Sequence, residues 1–244
     1  MKLLYSLLFI PVVTFAGNCE QFFPFGTPKT NGIELCRIAY VTHYSKIEKL
    51  PIFSAELLVP ENLNGKHQKS NNFQEDPSLP QHLQVIEQDL ISSGFDRGHL
   101  APAEDMRQNS AALGQSFYMS NIVPQNPYMN RGAWKSLENY TRKIAMTYNH
   151  AYVITGTIKN ESSYVLNNGP IVPTYLYKII VTTQPFQMVA FMMPNNDVRG
   201  TKYTNFAVPV STIEAKTNIN FFPNMPVKYK QTKTFINTDL VNFK

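Results

Sequence analysis

Sustained helical periodicity lies in the middle of the chain, between runs that read as strands, and this contrast restricts the fold more than any other feature of the sequence. Asn126-Pro127 supplies an N-cap and a proline at the first helical position. Ala133, Trp134, Leu137, Thr141, Ile144, Ala145 and Tyr148 then recur at helical spacing, and Asn149 can end the helix. With Asn130 at zero on a wheel of about 100° per residue, Trp134, Leu137 and Thr141 fall within about 40° of it, Glu138 at about 80° and Arg142 at about 120°. The helix has one apolar stripe to bury, with Trp134 read as core packing, and polar side chains at the stripe's edge.

The flanking pattern is β-like. Residues 33–42 and 52–59 are rich in branched and aromatic side chains and are separated by a polar turn that includes Pro51. Residues 151–155, 175–182 and 188–192 are similar, with turns at 167–170 and 194–197. Residues 60–81 shift to Asn, Gln, Lys, Ser and Pro, a long loop of the kind that faces substrate. Residues 212–244 show no clear period, and no internal repeat is visible. An α+β fold follows: a mixed, mostly antiparallel sheet core with one central helix, in a single domain.

At 244 residues the chain is long enough for one substantial core; 43% hydrophobic and 16% charged residues exclude a disordered polymer. Lys plus Arg at 22 against 17 acidic residues gives a formal charge of +5, which permits an anionic partner without identifying one. Residues 1–16 have a Met1-Lys2 start, an apolar stretch and a small residue at Ala16. They read as a signal peptide, and the expectation is an exported protein, secreted or periplasmic, with residues 17–244 as the working domain and no stable membrane association after cleavage. Cys19 and Cys36 would survive that cleavage, and in an oxidising compartment an even count favours one disulfide over two buried thiols.

Several chemistries have no support. The five histidines show no HExxH or HxH spacing, two cysteines cannot make a four-thiolate zinc site, and GxxxxGKS/T, GxGxxG and GxSxG are absent. His43, His67, His82 and His150 read as structural. Glu138 and Arg142, four apart, would by default form a surface ion pair. The C-terminal lysines Lys228, Lys230, Lys233 and Lys244, with Tyr229 and Phe235, read better as a solvated edge than as a nucleic-acid strip.

Ser93-Gly94-Phe95-Asp96-Arg97-Gly98-His99-Leu100-Ala101-Pro102 is different, because it places a carboxylate, a guanidinium and an imidazole within four positions. Such a cluster can hold an anion and move a proton. It resembles the Asp-Arg-Gly-His motif of the DNA/RNA non-specific endonuclease family, the secreted bacterial nucleases and the endonuclease G type, with their ββα-metal (His-Me) finger. A second block, Ser120-Asn121-Ile122-Val123-Pro124-Gln125 followed by Asn130-Arg131-Gly132-Ala133-Trp134, Leu137-Glu138 and Arg142, follows the same family in order and spacing. The resemblance covers residues 22–206, with weaker matches at Asn72-Phe73-Gln74-Glu75-Asp76-Pro77 and at Gly169-Pro170-Ile171-Val172-Pro173-Thr174.

The resemblance implies a ββα-metal finger whose central helix carries the metal ligand, and a Mg²⁺-dependent endonuclease that cuts DNA and RNA to leave 5′-phosphate ends. His99 would be the general base and Asn130 the protein ligand of one Mg²⁺, with Mn²⁺ as a possible substitute. Glu138 would hold the metal's water shell, and Arg142 and Arg97 would face the scissile phosphate. Asp96, Asn121 and Gln125 would support these groups. A histidine near its reference pKa of about 6.5 can take a proton from water at neutral pH, and a hard hydrated cation tolerates one amide oxygen plus waters. Family members often carry an arginine just before the Phe-x-x-Asp-Pro pattern, where this chain has Asn71 and Asn72; Lys69 supplies charge nearby but not a bidentate fork. The rival readings are a binding-only relative and a secreted β-rich interaction domain with a vestigial motif.

Overall fold

A computed structural model describes residues 19–68, 72–166, 169–232 and 236. The expected signal peptide at 1–16, Lys69 and Asn71, the first two residues of the 167–170 turn, and Lys233, Phe235 and Lys244 lie outside the described residues.

Seven strands form one antiparallel sheet. They are β1 (Ile33–Cys36), β2 (Tyr40–Ser45), β3 (Leu50–Leu58), β6 (Ala151–Ile158), β9 (Tyr175–Thr183), β10 (Phe186–Pro194) and β11 (Ala207–Val208), hydrogen-bonded in that order. A separate ribbon pairs β4 (Asp96–His99) with β5 (Ile122–Gln125), and a small hairpin pairs β7 (Tyr164–Val165) with β8 (Ile171–Val172). The run at 33–42 is two strands rather than one, turning at residues 37–39. Pro51 lies within β3 instead of in a turn: it pairs with Tyr44 beside a bulge, where a strand can spare a donor.

The central helix starts and ends as the sequence predicts. The Asn126 side chain accepts hydrogen bonds from the Tyr128 and Met129 amides at 3.0 and 3.3 Å, Pro127 opens the first turn, and Asn149 closes the helix at a left-handed φ of 61°. It is not uniform: the segment Asn130–Trp134 is kinked, with Gly132 at a non-helical φ of −107° and ψ of −106°, and regular helix follows over Lys135–Tyr148. Trp134, Leu137, Thr141, Ile144 and Ala145 are buried against one face of the sheet, as the wheel requires. Residues that looked aperiodic near the C-terminus include the helix Val210–Thr217, which packs with the N-terminal turn Cys19–Phe22 on the opposite face. Cys19 and Cys36 are joined, tying that N-terminal turn to β1. The result is three layers, with the β4–β5 ribbon and central helix on one side of the sheet and the turn Cys19–Phe22 with the helix Val210–Thr217 on the other. No helix among the described residues is long and apolar enough to cross a membrane.

Candidate active site

The β4–β5 ribbon and the helix that follows it form the ββα unit. Register sets Asp96 opposite Gln125 and His99 opposite Ile122, so both ends of the Asp-Arg-Gly-His motif are fixed by backbone pairing. Gly98 is required there, because a Cβ at this position would lie 2.1 Å from Cδ of the buried Gln125. Gln125 in turn donates from Nε2 to the His99 carbonyl at 3.4 Å. Asn121 is fully buried and uses its whole amide: Oδ1 accepts from Ser54 Oγ and the Ala101 amide, both at 3.0 Å, while Nδ2 donates to the Ala101 and Ser116 carbonyls, both at 2.9 Å. It fastens the segment just after His99 to β3, so the supporting positions of Asn121 and Gln125 both bear on the backbone around His99.

His99, Asn130 and Glu138 line one open cleft of about 420 Å³, together with Phe73, Phe95, Asp96, Arg97, Glu104, Phe117 and Arg131. The His99 ring meets the edge of Phe117 at 4.9 Å between centroids and leans on Phe73 at 5.7 Å, which limits its rotation. The helix would not bring Asn130 and Glu138 together if it were regular, since eight residues carry the chain about 80° past the starting direction. The kink at Gly132, with φ −107° and ψ −106°, breaks that regular progression between the two positions, and both side chains line the cleft.

Asp96 sets the orientation of Asn130. Its Oδ2 accepts from Asn130 Nδ2 at 2.9 Å, and Arg131 grips both carboxylate oxygens at 2.6 and 2.8 Å. A carboxylate accepts hydrogen bonds and cannot donate them, so the amide nitrogen must face Asp96 and the carbonyl oxygen must face away from it. That leaves one neutral, hard oxygen directed from the helix start, with the Glu138 carboxylate on the same cleft wall.

The two predicted phosphate-facing arginines are placed differently. Arg97 lines the cleft, its guanidinium paired with Glu87 and lying 4.4 Å from the Phe73 ring centre. Arg142 is not among the cleft-lining residues: it donates to the buried Asp105 at 2.9 Å and to Asn139 at 2.7 Å. Burial raises the Asp105 carboxyl pKa against the pull of Arg142. Residues 60–81 are not simply a surface loop. Asp76 is buried, paired with Arg37, accepts from Ser120, and receives the Ser78 amide at 2.9 Å. This anchor lays Phe73 against Phe117, 5.2 Å between centroids, and so against His99. The sequence reading missed Arg131, Glu104, Phe117 and Asp105 as parts of this surround. The family-like block Asn130-Arg131-Gly132 contained the first of them. Of the other histidines, His43 stacks on Phe53 at 4.4 Å and bonds Thr30 at 2.9 Å, while His150 receives the Thr183 amide at 2.8 Å, consistent with structural roles.

A ββα unit with an imidazole, an oriented amide and a carboxylate in one cleft defines a nuclease-type site. Residues 19–228 match the family of DNA/RNA non-specific endonucleases, and the chain belongs to that family: it is an endonuclease. It is 32% identical over 232 residues to mitochondrial endonuclease G of Bos taurus, covering 88% of this chain and 77% of that protein. It is also 32% identical over 228 residues to nuclease C1 of Cunninghamella echinulata var. echinulata, covering 86% and 90%. A chain in the crystal structure of the EndoG/EndoGI complex superposes with a TM-score of 0.77 at 29% identity, over 86% of this chain and 93% of that one.

The match extends to residue 228, past the 206 at which the motifs stop, so the helix Val210–Thr217 belongs to the family's fold. The expectation of a secreted or periplasmic protein is corrected by the comparisons. The bovine relative is mitochondrial by name, as are several further nucleases that the chain resembles. An apolar N-terminal stretch with a single lysine was too general a signal to assign a compartment.

Proposed function

We propose that the chain hydrolyses phosphodiester bonds of DNA and RNA with His99 as general base and a single divalent cation at Asn130, leaving 5′-phosphate ends. The observation that carries this reading is the Asp96 clamp, which aims the Asn130 carbonyl away from Asp96 at the start of the helix whose Glu138 shares the cleft with His99. No group of three or more His, Cys, Asp or Glu among the described residues could hold a metal on its own. One amide oxygen with a carboxylate behind it instead suits a hard, mostly hydrated ion, Mg²⁺ first and Mn²⁺ as substitute. When bound, such an ion would neutralise charge developing on the phosphate and ease departure of the 3′ oxygen.

The protein's own groups do the rest. His99 takes a proton from water as its oxygen bonds to phosphorus, and the P–O3′ bond breaks, with a second water protonating the departing 3′ oxygen, giving a 5′-phosphate and a 3′-hydroxyl. Glu138 would accept hydrogen bonds from the waters of such an ion. Arg97 and Arg131, which line the cleft, hold the strand's phosphates. Arg142 supports Glu138 from the Asp105 side rather than touching the phosphate. The names of the relatives support a mitochondrial compartment.

The test is cleavage of plasmid DNA and of RNA against Mg²⁺ concentration, at one salt concentration because phosphate contacts are salt-dependent. Chelator should stop cutting, Asn130→Ala should lose most activity with partial recovery at high Mg²⁺, and the products should ligate without added kinase. Undiminished cutting in excess chelator, or the wild-type Mg²⁺ curve for Asn130→Ala, overturns the assignment.

A further inference from the structure

We infer that a second cleft beside the catalytic one is a subsite for an unpaired nucleobase, so that the enzyme favours single-stranded or frayed strands over intact duplex. The inference rests on the nuclease reading and adds to it a preference in substrate. This neighbouring cleft, about 380 Å³, shares one wall residue with the catalytic cleft, Phe95, which directly precedes Asp96 in the chain.

The two clefts differ in chemistry. Six acidic or basic side chains (Asp96, Arg97, His99, Glu104, Arg131 and Glu138) line the catalytic cleft, and among the described residues no Asp, Glu, Lys, Arg or His lines its neighbour. A surface without cations is poorly suited to phosphate, which is held by Arg, Lys or a metal ion. The neutral cleft instead carries aromatic rings, amides and a hydroxyl. Its rim holds the exposed Asn160, Ser162 and Asn196, and Tyr164, 52% exposed on the β7–β8 hairpin. These are the groups that stack on base faces and hydrogen-bond base edges.

The rings are spaced for that purpose. Phe95 and Tyr164 lie 6.5 Å apart between centroids at 53° to one another. Two stacking contacts of about 3.5 Å each need about 7 Å between flanking rings, so a modest turn of the exposed Tyr164 opens a slot for one planar base. A base lies within one nucleotide of its own phosphate. A strand held by Arg97 and Arg131 therefore brings an adjoining base to Phe95. A paired base is stacked inside its duplex and cannot enter the slot without being extruded.

The experiment compares kcat and KM on a single-stranded oligonucleotide and on the same sequence as a blunt duplex. Tyr164→Ala should raise KM for the single strand about tenfold more than for the duplex, within the range of about 5- to 150-fold that loss of one stacked base implies, with kcat on the single strand much less affected. Tyr164→Phe should restore the preference, and Val165→Ala, 54% exposed on the same hairpin, should track wild type. A strand of abasic sugar-phosphate should compete with the single strand less well than a strand carrying bases, and Tyr164→Ala should erase that difference. Equal KM changes on both substrates, no change on either, or equal competition by abasic and normal strands overturns the subsite. If wild type cuts neither substrate, it is the nuclease reading that fails. The subsite is then read from quenching of 2-aminopurine in a single-stranded oligonucleotide: quenching that Tyr164→Ala abolishes supports it, and its absence in wild type overturns it.

Discussion

The two faces of the seven-stranded sheet are built from alternate residues of the same strands and both bury apolar side chains, yet only the face toward the ββα unit also buries a carboxylate and an ammonium from those strands. On the face toward the helix Val210–Thr217, Phe53, Ala55, Ile154, Tyr177, Ile179 and Val181 are buried together as a predominantly apolar layer. On the face toward the ββα unit, Ser54, Glu56, Thr155 and Lys178 are buried in the same strands. Ser54 bonds Thr42 at 2.8 Å and Asn121 at 3.0 Å, and Lys178 bonds Thr155 at 2.6 Å with its ammonium 5.4 Å from the Trp134 ring centre. Burial raises the Glu56 carboxyl pKa well above the usual range and lowers that of the Lys178 ammonium, driving both toward their neutral forms. Buried ionisable groups are poor stabilisers compared with well-packed apolar ones. Both faces hold the fold, and the near face gives up some stabilisation to buried polar groups, among which Ser54 reaches the segment after His99 through Asn121.

The comparison breaks at its strongest point if His99→Ala keeps its turnover. Loss of a general base should cost about 10²- to 10⁴-fold in kcat, with an unchanged melting curve and little change in nucleic-acid affinity. On the far face the converse holds: Phe53→Ala should lower unfolding free energy by about 3–5 kcal/mol in a denaturant titration, while activity per folded molecule stays at the wild-type level. Cys36→Ser opens a link between residues 17 apart and should cost about 3 kcal/mol, again with normal kcat in the folded fraction.

The smallest expected effect is a pH dependence from His43, whose ring is buried against Phe53 and whose pKa burial lowers from 6.5 to about 4. The unfolded chain then binds the extra proton between pH 6.5 and 4, so stability is intact above pH 6.5 and declines as pH falls through that window. Between pH 6.5 and 5.5 the loss from this group should be about 1 kcal/mol, and His43→Gln should flatten that part of the stability profile. An identical acid slope in the variant would remove His43 from the account.

What the sequence made legible follows the same division. The start of the central helix, its stop at Asn149 and its buried stripe were readable because caps and periodicity are local. Asp96, His99, Asn130 and Glu138 were readable because two separated motifs kept their order and spacing. Glu56 and Lys178 were not, since a charged residue in an alternating strand reads as solvent-facing until a second layer covers it. Asp105 was missed for a related reason: its partner Arg142 is 37 residues away, and nothing in either segment announces the pairing. The wheel also set Glu138 about 80° from Asn130, because it assumes a regular helix and nothing in the sequence marked the kink at Gly132.

The hold of Asp96 on Asn130 also decides which residue can live at position 130. An aspartate there would add a charge for a metal, but its oxygen would stand about where Asn130 Nδ2 now sits, 2.9 Å from an Asp96 oxygen. Two carboxylates at that separation cannot both stay ionised without a cation between them, so one would take up a proton or the side chains would swing apart. Protonating Asp96 or swinging the two apart would loosen the Arg131 fork that now closes on Asp96, and protonating the new acid instead would cancel the charge it brought to the metal. Acid and amide at these two positions are thus a matched pair, each restricting what the other can become as the sequence drifts, although 34 residues separate them along the chain.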